Sequence, residues 1–173
     1  MKEEEVQRNY RALLGKIKEQ EEKQLSIYSQ EIQCRLGCDS CCRPPDSLFL
    51  IEAKNLEEGI SKIDKKHKDI IQLQLEEYQA KERELCPILF EGRCLSYENR
   101  PSICRTHGYA VWIGEEEKLS WCPLNFQGEK PKKEMAFDID RLNQMMALIT
   151  KLAYPDEEGR RPLVEVIRQG LEL

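Results

Sequence analysis

Eight cysteines carry the chemistry open to this chain of 173 residues. Cys34, Cys38, Cys41 and Cys42 form a knot of the pattern C-x3-C-x2-C-C, and Cys86, Cys94, Cys104 and Cys122 follow at wider intervals, C-x7-C-x9-C-x17-C. A free thiol is a weak hydrogen-bonding group and a chemical liability at a surface, so thiols gathered this tightly are either crosslinked or coordinated to metal. The adjacent pair Cys41 and Cys42 suits a simple disulfide framework poorly, whereas a close run of soft ligands suits a metal. Neighbouring side chains diverge by about 100° on a helix and point to opposite faces of a strand. On that geometry Cys41 and Cys42 do not chelate one small ion together, and one of them serves a second site, bridges two metals or packs. The principal ligand candidates are Cys38, Cys41, Cys86, Cys94 and Cys104, with Cys34, Cys42 and Cys122 completing one cluster or a second site.

Spacing also bears on which metal. A zinc ribbon shows two C-x2-C knuckles, and only Cys38 and Cys41 supply one here. The bacterial ferredoxin run is unmatched as well, but an iron–sulfur cluster spans more space and tolerates looser ligand geometry. The expectation is therefore an iron–sulfur cluster, 4Fe–4S first, with zinc as the alternative. Cys34, Cys38 and Cys41 also match the spacing of radical S-adenosylmethionine enzymes. Those enzymes place the motif after the first strand of a large partial barrel, with an aromatic residue just before the third cysteine; here Ser40 stands in that place, a helix precedes, and the chain is short beside full barrels of about 250 residues. No glycine-rich strand-to-helix loop is present, so no nucleotide cofactor is expected. Arg93, Arg100 and Arg105 flank cysteines and can donate to sulfur or balance its charge, the plainer account being ion pairs with Glu91 or Glu98. His107 follows Cys104 closely, and a lone loop histidine is more often structural than a ligand. His67, between lysines, reads as exposed.

These residues need elements to position them. Apolar positions Val6, Tyr10, Leu13, Leu14, Ile17, Leu25, Tyr28 and Ile32 recur at helical steps, giving an N-terminal helix over 1–33 with Gly15 as its weakest point. If that helix continues, Cys34, Cys38 and Cys41 share a face; if it stops at Gly37, they lie on a tight loop. Asp46 or Ser47 is then expected to cap a helix carrying Leu48, Ile51 and Leu56, and a third helix follows Ser61 with Ile63, Ile70, Ile71, Leu75 and Tyr78, ending near Leu85. Within the cysteine-rich region 34–126, Gly92, Pro101, Gly108, Gly114 and Pro123 punctuate short apolar pieces, and Tyr109–Ile113 with Leu119–Trp121 flank a GEEEK turn as a hairpin. Tyr109, Trp112, Trp121 and Phe126 are expected to shield the metal and form the core around it. Region 127–173 holds C-terminal helices: one capped by Asp138 and carrying Ile139, Leu142, Met146, Ile149 and Leu152, then a loop, then a short helix after Pro162 with Leu163, Val166, Ile167 and Leu171. The fold class expected is mainly helical α+β, one domain over 1–173, with helices around a cysteine-rich middle containing short hairpins.

Composition narrows the setting. Charged residues make up 34% and the net charge is -5, which argues against a nucleic-acid partner because phosphate binding needs a basic surface. No apolar run approaches the roughly 20 residues of a membrane span, and the acidic N-terminus does not read as a secretory signal. A reducing cytoplasm is the expected location, where clustered thiols favour metal over disulfides.

The segments CRLGCDSCC, CPILFEGRCLSYENRPSICRTHG and the later CPL together resemble the YkgJ-type cysteine-cluster family, the CxxCxxCC zinc- or iron-chelating domain. The matching positions are Cys38, Cys41, Cys42, Cys86, Pro87, Gly92, Arg93, Cys94, Tyr97, Glu98, Arg100, Pro101, Cys104, Arg105, Cys122 and Pro123, and LFLIEA with Glu52 matches the stretch after the knot. Between Cys34 and Cys38 stand three residues where the family pattern has two, which sets Cys34 apart. The resemblance implies binding of iron or zinc, with an iron–sulfur or redox role as one form and a zinc-stabilised binding module without catalysis as another. Some larger relatives resemble flagellin lysine methylases, which implies protein modification as a further alternative; whether this chain is an enzyme stays open.

Overall fold

The structure, a computed structural model, describes residues 2–173. In chain order its elements are α1 (Lys2–Ile27), β1 (Ser47–Phe49), α2 (Leu50–Ser61), α3 (Lys65–Gln79), β2 (Leu89–Phe90), β3 (Arg93–Cys94), α4 (Ser102–Thr106), β4 (Val111–Ile113), β5 (Lys118–Ser120), β6 (Phe137–Asp138), α5 (Ile139–Ala153), β7 (Arg160–Pro162) and α6 (Leu163–Glu172). This is a mainly helical α+β fold with small sheets. The chain folds as two compact units, one of residues 1–35 and 102–155, the other of residues 36–101 and 156–173.

In the first unit α1 buries Val6, Tyr10, Leu13 and Ile17 of the expected stripe, whereas Leu25, expected on it too, is exposed; α1 packs on α5, whose Leu142, Met146 and Ile149 are buried. Asp138 caps α5 by accepting from the Arg141 backbone N–H at 3.0 Å. Leu152, expected on the same stripe, is exposed. Helix α1 ends at Ile27, short of residue 33, yet Tyr28 and Ile32 remain buried. A turn accounts for both facts: the N–H groups of Glu31 and Ile32 each bond the Tyr28 carbonyl at 2.9 Å, which keeps these two side chains on one side after helix has stopped. They form a core with Ala110 and Phe126, against which Tyr109 and Trp121 pack. The buried Gln24 side chain accepts from the Ala110 N–H at 2.9 Å and donates to its carbonyl at 3.1 Å, closing both backbone groups of a residue just ahead of β4. The β4–β5 hairpin expected around GEEEK is present in register Val111 to Ser120, and β6 joins it in parallel.

The second unit pairs β1 with β7 and packs α2 on α6. A Cβ on Gly170 would lie 2.7 Å from the Ile60 Cβ, so a bare backbone is what allows this approach. Local reading assigns Asp46 or Ser47 as a helix cap, but Ser47 opens β1, and α2 begins after Phe49 without a side-chain cap. The cause is non-local. Arg160, far along the chain, donates to the Ser47 hydroxyl at 2.9 Å and carbonyl at 2.8 Å and stacks on Phe49, holding residues 47–49 extended. Helix α3 is capped by Asp64, whose carboxylate accepts from the His67 N–H, and it stops at Gln79 instead of near Leu85 because Lys81 turns left-handed at φ 62°. His67 is only partly exposed, its ring 2.6 Å from Asp64.

Candidate metal centre

All eight cysteines are free thiols. The second unit holds Cys38, Cys41, Cys42, Cys86 and Cys94; the first holds Cys34, Cys104 and Cys122.

In the second unit the knot is loop and turn, neither helix nor strand. Gly37 takes φ 85° and the Cys42 N–H closes a turn on the Asp39 carbonyl at 2.8 Å. The divergence expected for neighbouring side chains therefore does not hold: the thiols of Cys41 and Cys42 hydrogen-bond to each other. That bond, with burial behind it, raises the Cys41 thiol far above its ordinary range. Two contacts bring the knot to the next cysteines. The Cys86 N–H donates to the Cys42 carbonyl at 2.9 Å, and the turn between β2 and β3 lies against the knot so closely that a Cβ on Gly92 would fall 2.9 Å from the Gly37 Cα. Both glycines have positive φ, so each is required by conformation as well as by space.

Hairpin β2–β3 then sets Cys94 opposite Leu89, whose N–H bonds the Cys86 carbonyl at 3.0 Å. Each of these two cysteines receives a backbone donor two residues downstream, the Ile88 N–H for Cys86 and the Ser96 N–H for Cys94. Amide donors aimed at sulfur favour thiolate and are the interactions that tune thiolate-bound metals. Burial opposes them, pushing Cys86 up from 9.0 to about 11 and raising Cys94 as well. The positive charge of Arg100 acts downward on both Cys41 and Cys94, and that of Arg83 on Cys86. Arg100 is itself fixed, stacked 3.6 Å above the Tyr97 ring with its Nε donating to the Tyr97 carbonyl. Arg93 is exposed on β3.

In the first unit Cys34 is exposed, and the buried Asn125 amide donates to its sulfur at 3.3 Å and to the Gly108 carbonyl at 2.5 Å. A Cβ on Gly108 would stand 2.6 Å from that sulfur. Asn125 is tied in turn to the Cys122 carbonyl at 2.9 Å, while Cys104 and Arg105 lie on α4. The aromatic residues Tyr109, Trp121 and Phe126 belong to the core of this unit.

Among the described residues, no three Cys, His, Asp or Glu side chains stand in the arrangement that would hold a metal ion. The donor chemistry of the second unit nevertheless fits a soft metal: reduced thiols, amide donors to sulfur, and flanking guanidinium charge. Two residues that the sequence did not single out shape this neighbourhood. Asn125 ends a C-P-L-N run with no local signal for burial, and Arg83 lies in a charged stretch, KEREL, where nothing distinguishes it from its neighbours.

Comparison with curated proteins and with solved structures gave no match. A family model described as "CxxCxxCC: Putative zinc- or iron-chelating domain" matches residues 33–125, more than half of the chain and the stretch that holds all eight cysteines. By that match, this chain belongs to the CxxCxxCC family of zinc- or iron-chelating domains.

Proposed function

We propose that the chain chelates zinc or iron through the cysteines of its second unit, Cys38, Cys41, Cys42, Cys86 and Cys94. The observation that carries this reading is a set of free cysteines whose backbones the fold joins, the Cys86 N–H on the Cys42 carbonyl and the Leu89 N–H on the Cys86 carbonyl with Cys94 paired to Leu89, beside the Cys41–Cys42 thiol contact. Loading requires deprotonation of the ligating thiols and rotation of their side chains toward one centre. A bound iron–sulfur cluster would supply one-electron transfer, and a bound zinc would supply folding free energy or Lewis acidity. The protein's own part is to gather the thiols, direct amide donors at them and offset their charge with Arg100.

Iron–sulfur ligation is the first form of this proposal, because a cluster spans more space than a single ion and tolerates looser ligand geometry. Zinc is the second form, favoured by one observation: Cys38 and Cys41 stand at C-x2-C spacing, Cys38 just before the Asp39–Cys42 turn and Cys41 within it, which is one half of a zinc-knuckle pattern. Metal analysis with an absorption spectrum on anaerobically purified protein separates them. Iron with sulfide and a visible band that bleaches on reduction supports the first; a colourless protein with about one zinc per four thiolates supports the second. A protein that carries neither and takes up neither contradicts both.

A further inference from the structure

Arg83 follows α3 and belongs to no motif, yet its guanidinium reaches three backbone carbonyls of the segment that carries Cys86. Nε donates to the Leu85 carbonyl at 3.1 Å, and one terminal nitrogen donates to those of Cys86 at 3.4 Å and Leu89 at 3.2 Å. The segment needs such a brace. Pro87 has no N–H to contribute, the Leu89 N–H closes a turn on the Cys86 carbonyl at 3.0 Å, and the Leu95 N–H reaches the Ile88 carbonyl at 3.0 Å, which leaves the Leu85 carbonyl and the outer face of the turn to another donor. The fork of Arg83 ties together the carbonyls on both sides of this turn, those of Leu85 and Cys86 before it and that of Leu89 after it. A planar guanidinium with five donors can serve several carbonyls at once from one fixed position, which a lysine ammonium on a flexible stem does poorly.

We infer that Arg83 is a positioning residue for the metal site: it holds the 85–89 turn so that the Cys86 sulfur is presented for ligation. The inference rests on the metal-chelating reading. Groups that orient a ligand without touching the metal typically cost 10- to 100-fold, as an order of magnitude, in metal affinity when replaced.

Anaerobic titration with cobalt(II), or with iron and sulfide where cobalt is not taken up, tests this on the full chain. The proteins compared are wild type, Arg83→Lys, Arg83→Met, Cys86→Ser and the double variant Arg83→Met with Cys86→Ser. Expected are a roughly 10- to 100-fold weaker affinity for both Arg83 variants, a weaker thiolate-to-metal charge-transfer band as Cys86 leaves the ligand set, and no further loss when Arg83→Met is added to Cys86→Ser. A brace that only stabilised the fold would lower Tm alike in both backgrounds and leave the band unchanged. The inference is overturned if Arg83→Lys, folded by circular dichroism, keeps wild-type affinity and spectrum. It is overturned equally if Arg83→Met weakens the Cys86→Ser protein as much as wild type, or if neither Arg83 variant folds. Should wild type take up no cobalt, zinc or iron, the chelation reading itself fails and this inference falls with it.

Discussion

Cys86 titrates late because burial disfavours its thiolate, and this has a signed consequence for stability. Below pH 9 the thiol is protonated in both folded and unfolded chains. Between pH 9 and about 11 the unfolded chain ionises while the folded one does not, so the contribution is present at low pH and is lost as pH rises through that window. Denaturation of the metal-free protein should show the stability advantage of wild type over Cys86→Ala shrinking between pH 9 and 11; a difference that stays flat with pH contradicts the assignment. At the same scale, Gly92→Ala places a side chain at φ 72° and against the Gly37 backbone, and a loss of about 1–3 kcal/mol is expected by chemical denaturation. Which residue types matter was legible in the sequence, since soft ligands announce themselves by type and spacing. The relation of Cys41 to Cys42 was not, because the rule for neighbouring side chains assumes a helix or strand and the backbone there is a turn. Arg83 and Asn125 were equally hidden: a guanidinium that braces carbonyls and an amide that braces a sulfur look, in sequence, like any surface Arg or Asn.

At the scale of elements, periodicity located α1, α3, α5 and α6 and the β4–β5 hairpin, and the Asp138 cap was readable from its position alone. Strands β1, β6 and β7 were not, because two or three extended residues carry no period and owe their shape to partners distant in the chain. Gly15 is the clearest target here. It lies exposed in α1, and a Cβ added to it meets nothing within 4 Å. Gly15→Ala should therefore raise stability by about 0.5–1 kcal/mol, read as a higher Tm, through helix propensity and a less disordered unfolded chain. An unchanged or lower Tm would show that the glycine has a role beyond helix geometry. Asp138→Ala, by removing the side chain that accepts from the Arg141 N–H in the first turn of α5, should cost about 1 kcal/mol on the same measurement.

At the scale of the molecule, each unit is assembled from two stretches of chain, and the division falls inside the knot, between Arg35 and Leu36. Spacing reads the four cysteines of the knot as one group; packing assigns Cys34 to one unit and the other three to the second. The second unit is completed by residues 156–173, which supply β7 and α6 to cover β1 and α2. A chain ending at Pro155 should lose the helicity of α2 along with that cover, because Leu50, Ile51, Leu56 and Ile60 would face water, and with it metal uptake; circular dichroism and metal counting on the truncated chain check both. The central claim, that thiols of the second unit hold zinc or iron, is tested most directly by counting metal per chain by native mass spectrometry on wild type and on the triple variant Cys41→Ser, Cys86→Ser, Cys94→Ser. Wild type should carry a stoichiometric complement of zinc or iron, with sulfide where iron is bound, and the variant should lose it. A wild type that neither carries nor accepts metal, or a triple variant that keeps the full complement, would contradict the account.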